Sequence, residues 1–163
     1  MAASGRLRSP CIGICSTTVG DLVCRGCKRY AHEINDWHAY DADARLAVID
    51  RLESYWVAAA KDVIAIEHLG RLKEVLGEKG IHYNANLHPL MWVYELWRKH
   101  LESPLDPIGC GLKIKSELSA PELWQQLDRA VLLRSRAHYE RHFSRLDRQQ
   151  IASRKRHRSH LAE

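Results

Sequence analysis

Four cysteines within seventeen residues constrain this chain more than any other feature. Cys11, Cys15, Cys24 and Cys27 follow the pattern C-x3-C-x8-C-x2-C. Two cysteines two to four residues apart form a chelating pair, because a tight turn aims both sulfurs at one ion, and two such pairs complete a tetrahedral shell. The spacer from Ser16 to Val23 is shorter than in common zinc ribbons but long enough to fold back. Gly26, inside the second pair, relieves crowding where the backbone turns around a metal. Four thiolates leave no open coordination position, so the expected centre is structural or electron-carrying and not hydrolytic. They suit zinc and equally a [2Fe–2S] or [4Fe–4S] cluster. The bacterial ferredoxin run is absent, with Pro10 preceding the first cysteine instead, and spacing alone favours zinc mildly.

The reading as a metal site rests on a reducing compartment. Met1 to Pro10 contains two arginines with no apolar run after them, so no secretory signal is expected. No uninterrupted apolar stretch reaches the length of a membrane span. A cytoplasmic location is therefore the expectation, where clustered thiols bind metal rather than pair as disulfides.

The stretch SPCIGIC, continued by CRGCKRYAHEINDWHAYDADARLAVIDRL, resembles a bacterial family catalogued as domain of unknown function 1289. The shared features are Ser9-Pro10-Cys11 with Gly13 and Cys15, then Cys24-x-Gly26-Cys27. Glu33, Ile34 and Trp37 follow, and then a short helix with alanine and arginine. The resemblance covers residues 9–53, about a third of the chain. It implies a metal module and shifts the metal toward iron–sulfur, since such proteins are labelled predicted iron–sulfur proteins on the same cysteines. It supplies no reaction.

The rest of the chain reads as mainly α. Lys28 to about Asp36 forms a short helix in this reading. Asp41 is placed as an N-cap ahead of Leu46, Ile49, Leu52 and Trp56, spaced three to four apart. The period persists through Val63, Ile66, Leu69, Leu72 and Leu76 until Gly77 and Gly80. One helix over 42–76 would be unusually long, so a break is expected near Trp56 to Lys61 or at Gly70. Pro89 suits a helix start, and Leu90, Val93, Tyr94, Trp97 and Leu101 make one stripe. Leu105 to Leu118 reads as a loop with room for a short extended piece. Ser119 and Glu122 match a capping box with Pro121 in the first turn, ahead of Leu123, Leu127, Val131, Tyr139, Phe143 and Leu146. No alternating strand pattern of any length is visible. The expected organisation is a disordered N-terminus over 1–10, and a cysteine-rich metal module with its following helix over 11–58. A helical region over 59–144 and a basic tail over 145–163 complete it.

Charge is divided sharply along the chain. Residues 1–140 carry equal numbers of acids and bases, while the last 23 hold seven basic and two acidic residues, so the whole formal charge of +5 resides there. Arg141, Arg145 and Arg148 continue a helical face, and Arg154, Lys155, Arg156 and Arg158 form a dense cluster. Cations set against phosphates release counterions, so this tail is a candidate RNA or DNA contact with weak sequence preference. A solvated chain end is the plain alternative.

Other candidates carry simpler readings. His138 and His142 stand at i, i+4 without the following Glu of a zinc protease, and read as a basic-aromatic helix face. His32 and His38 flank the cysteines and would enter a mixed shell only if one cysteine did not ligate. Cys110, between two glycines, is a lone loop thiol, either redox-active or merely small and tolerated. Trp56, Trp97 and Trp124 read as core, whereas Trp92 lies off its stripe and is free to meet a partner. No phosphate-cradling glycine loop, Ser/His/Asp arrangement or carboxylate-pair motif is present, so an enzyme is not expected. The functional expectation is a non-enzymatic adaptor with an iron–sulfur or zinc centre, contacting RNA, DNA or a ribonucleoprotein through its tail. An iron–sulfur electron carrier or redox sensor with a protein redox partner, and a structural zinc module for protein docking, are the alternatives.

Overall fold

The computed structural model describes residues 8–100 and 106–143. Over these the chain is mostly helical, as the apolar periodicity requires. After a short helix α1 (Ala31–Asn35), helix α2 spans Ala42–Ala60. Asp41 caps α2 as expected, its Oδ1 accepting from the Ala44 N–H at 2.8 Å. Helices α3 (Leu69–Glu78), α4 (Pro89–Lys99) and α5 (Ala120–His142) follow. Pro89 opens α4, and the His88 ring nitrogen Nδ1 accepts from the Leu90 N–H at 3.1 Å. At the start of α5 the Glu122 carboxylate accepts from both the backbone N–H of Ser119, at 2.9 Å, and its hydroxyl, at 2.5 Å.

The long helical run does break after α2, but what fills the gap is a strand. Strand β1 (Ile64–Ile66) pairs antiparallel with β2 (Leu112–Ile114), with Ile64 opposite Ile114 and Ile66 opposite Leu112. Strand β1 thus corrects the helical period read through Val63 and Ile66, whereas β2 is the short extended piece for which the Leu105–Leu118 loop left room. Ile64 and Ile66 are β-branched and favour extended backbone, yet Ile66 also falls on the helical period of Val63 and Leu69, which hides the strand. Gly70 breaks nothing: it sits in the first turn of α3. That helix stops where Gly80 adopts φ +61°, with the Ile81 N–H reaching the Leu76 carbonyl at 2.8 Å.

The main core joins the second half of α2 to β1, α3, α4, β2 and α5, through Trp56, Leu72, Leu76, Val93, Leu96 and Leu123 among others. Full burial of each such leucine contributes about 2–3 kcal/mol. Trp56 is locked by its Nε1–H, which donates to the Leu90 carbonyl at 2.8 Å. Two expectations change here. Leu46 is 43 % exposed, and Val48 takes the buried place in the first half of α2. Trp92 is buried against Tyr83, with ring centroids 4.6 Å apart, and donates to the Asn84 carbonyl at 3.0 Å. It packs its own connecting loop rather than a partner. A second, smaller cluster of Val23, Tyr30 and Tyr139 seats the cysteine segment on α5.

Candidate metal centre

Cys24 and Cys27 lie in a tight hairpin closed by a bridge between Val23 and Tyr30. Three backbone hydrogen bonds shape it: Cys24 N–H to Arg29 O, Lys28 N–H to Cys24 O, and Ala31 N–H to Leu22 O, each 2.9 Å. Lys28 occupies the left-handed region at φ +62°, which turns the chain back after the second cysteine. Burial would raise the Cys24 thiol pKa. It is outweighed by the backbone N–H groups of Cys27, Ser16 and Gly26 and by the Cys27 side chain, which hold it below the ordinary thiol value. Burial dominates at Cys27 and pushes its thiol up against the Arg29 donors that favour thiolate. The Arg29 Nε–H stands 3.4 Å from Cys27 Sγ.

The first cysteine pair is laid against this hairpin. The Arg25 N–H donates to Ser16 Oγ at 2.8 Å, and Cys24 Sγ faces the Ile14 carbonyl at 3.5 Å. Gly26 permits the approach: a Cβ there would stand 2.5 Å from the Ile14 oxygen and 3.1 Å from the Ile12 side chain. Within the first pair, the Gly13 N–H is 3.4 Å from Cys11 Sγ, and Gly13 takes φ +88°. Cys15 Sγ lies 3.0 Å from Thr17 Oγ1, at the start of a 3₁₀ turn over Ser16–Val19. The structure therefore juxtaposes the two cysteine segments and brings Cys24 beside Cys27. Among the described residues, however, no three His, Cys, Asp or Glu side chains converge into a metal-binding group. The donor set fits a thiolate-held metal in chemistry, with N–H groups supplied to the Cys11 and Cys24 sulfurs and a guanidinium to that of Cys27.

Behind the hairpin lies a layer of buried charge. Lys28, 5 % exposed, donates Nζ to the carbonyls of Arg25 and Gly26, at 2.7 and 2.9 Å, and pairs with Asp128 of α5. Arg29, also buried, places its guanidinium 4.7 Å from the centre of the Trp37 ring. Glu33 accepts from the Tyr30 N–H at 2.9 Å and pairs with Arg51 of α2 at 2.6 Å, while Arg51 covers the Tyr30 ring at 3.9 Å. Glu33 and Trp37 are thus supports of the hairpin. Lys28, Arg29, Arg51 and Asp128 were missed as contributors because charged side chains are ordinarily exposed. The one available signal was the Lys-Arg pair immediately after Cys27.

The remaining candidates fall elsewhere. His32 packs on Phe143 and Tyr30, with centroids 4.9 and 5.6 Å apart. His38 is exposed and offers its carbonyl to Arg45. His138 Nδ1 and the Tyr30 hydroxyl share a hydrogen bond of 2.7 Å, and the His138 ring lies 4.3 Å from that of His142. Burial first, then the cations His142, Arg51 and Arg141, lower the His138 pKa. Cys110 is buried in the main core, which raises its thiol pKa, and is no flexible-loop thiol. Arg141 is exposed in the last turn of α5. Arg145, Arg148, Arg154, Lys155, Arg156 and Arg158 lie outside the described residues, as do the greater part of the expected disordered N-terminus and the whole tail. No described helix is long and apolar enough to cross a membrane.

No curated protein and no solved structure matches the chain. The cysteine hairpin, its Glu33 and Trp37 supports and most of α2 are nevertheless a shared unit: residues 9–55 match the family described as protein of unknown function DUF1289.

Proposed function

We propose that the protein is a non-enzymatic adaptor built on one four-thiolate metal centre, held by Cys11, Cys15, Cys24 and Cys27. The observation that carries this reading is the approach of the two cysteine segments at Gly26, where no side chain fits. A backbone this close, with N–H groups given to sulfur, suits a chelating turn. When bound, zinc would supply folding energy alone, and an iron–sulfur cluster would add electron transfer. The chain's own residues seat the centre on the helical body: Lys28 ties the hairpin to α5, and Glu33 with Arg51 ties it to α2.

The second element is nucleic-acid contact through Arg141, Arg145, Arg148, Arg154, Lys155, Arg156 and Arg158. The concentration of charge in the last 23 residues supports it. The test is binding of a single-stranded RNA and a duplex DNA at low and moderate salt, with full chain and with residues 145–163 deleted. The reading expects the deletion to abolish most affinity and flatten the salt slope. No binding at low salt, or an unchanged slope, overturns it.

One observation favours the iron–sulfur electron carrier as a second reading: Cys11 is solvent-exposed, giving the centre an edge a redox partner can reach. Brown protein after anaerobic purification, bleaching on reduction, would support it. Colourless protein with one equivalent of zinc would exclude it.

A further inference from the structure

The buried charge behind the hairpin sorts into pairs with one cation left over. Lys28 meets Asp128, and Arg51 meets Glu33 at 2.6 Å. Arg29 is more deeply buried than either of those cations, at 3 % exposed. Yet no carboxylate among the described residues stands within ion-pairing distance of it. Its guanidinium lies 4.7 Å from the centre of the Trp37 ring. The other charge near that ring is a second cation, Arg45 at 5.7 Å, so no countercharge arrives from that side. What the guanidinium does meet is sulfur: its Nε–H points to Cys27 Sγ at 3.4 Å.

A buried cation is costly unless an anion faces it, and arginine is almost never fully buried unpaired. The same cost falls on negative charge at Cys27, which is 6 % exposed. Each group therefore supplies what the other lacks. Four thiolates around a divalent ion leave the centre doubly negative, and a fixed cation beside one sulfur offsets part of that charge where water cannot. Arginine suits the place, because a guanidinium stacks on an aromatic face, is weakly hydrated and stays charged when buried.

We propose that Arg29 is the counter-ion of the metal centre, a positioning residue that balances the negative charge gathered at Cys27 and thereby sets the affinity for metal. The inference rests on the four-thiolate reading and adds to it which residue outside the ligand shell decides how tightly the ion is held.

The test loads the reduced full chain with zinc and reads its affinity by competition with a chromophoric chelator, in the parent, Arg29→Met and Arg29→Lys. Methionine keeps an unbranched apolar stem against Trp37 without the charge, whereas lysine keeps the charge without the planar fork. The expected result is affinity lower by about 10- to 100-fold in Arg29→Met, the usual range when an outer-shell partner of a metal ligand is removed. Arg29→Lys should lie closer to the parent than to Arg29→Met. Should Arg29→Met lose helical circular dichroism, Arg29→Gln, polar and uncharged, takes its place with the same expectation. Parent-like affinity in the folded uncharged variant overturns the proposal. So does an Arg29→Lys protein as weak as the uncharged one, which would mark shape rather than charge as the contribution. X-ray absorption on the zinc-loaded parent separates these failures from failure of the centre itself. Four sulfur ligands with an affinity indifferent to Arg29 strike this proposal alone, whereas a parent that takes up no zinc strikes both.

Discussion

Replacing Gly26 with alanine sets one methyl group against the joint between the two cysteine segments. The new Cβ would stand 2.5 Å from the Ile14 carbonyl oxygen, which belongs to backbone. An ordinary close carbon–oxygen contact is about 3.3 Å, so the Ile14 segment must retreat by about 0.8 Å. Ligand distances in a metal site hold to within about 0.2 Å, so the Cys11 and Cys15 side is displaced well beyond tolerance. Overpacking of this kind costs about 1–3 kcal/mol. If that cost falls on the metal-loaded state, affinity drops by about 5-fold to about 150-fold, since about 1.4 kcal/mol is a factor of ten. The assay is a chelator competition on the loaded protein, followed by a thermal melt. Gly77→Ala is the matched control: it meets open space in the last turn of α3 and should stabilise by about 0.5–1 kcal/mol. A Gly26→Ala protein that holds its metal and melts like the parent refutes the claim that this contact builds the site.

Lys28→Met should cost about 1–3 kcal/mol in urea unfolding, below the figure for a fully buried pair, because Asp128 is 32 % exposed and rehydrates; an unchanged midpoint would deny the pair a role in seating the hairpin. The His138 pKa is lowered in the fold, so the native state prefers neutral imidazole and the unfolded chain binds the proton first. That contribution is complete above the unfolded value near 6.5 and is lost as pH falls toward the depressed folded value. The melting temperature should therefore drop between pH 7.5 and 5.5, and His138→Gln should flatten the drop; equal slopes in both proteins would contradict it. Cys24→Ser should release the hairpin while the Trp56-centred core persists, seen as retained helical circular dichroism with loss of metal. Collapse of all helical signal would instead show one cooperative unit.

How far the sequence disclosed this structure depends on how local each signal was. Asp41, Pro89 and the Ser119–Glu122 box act within one helical turn, and the structure places all of them as read. Strand β1 escaped because it is three residues long and its partner lies almost fifty residues away, while β2 was legible only as a short extended piece within a loop. Ile66 satisfies a helical period as well as a strand, and only the pairing with Leu112 and Ile114 decides between them. The cysteine spacing marked the candidate site, but its supports did not show. Lys28 is buried only because Asp128 meets it from a hundred residues away, and Arg29 only because Trp37 offers a ring face. Trp92 was misjudged for the same reason: its packing partner, Tyr83, lies in the loop before α4 and not on the helix stripe.

The central claim is that Cys11, Cys15, Cys24 and Cys27 hold one metal centre. X-ray absorption at the metal edge, on anaerobically purified protein of measured metal content, tests it most directly. The account predicts a stoichiometric centre whose protein ligands are four sulfurs, at about 2.3 Å if the metal is zinc. A folded protein that carries no metal, or a centre with two or fewer sulfur ligands, would contradict it.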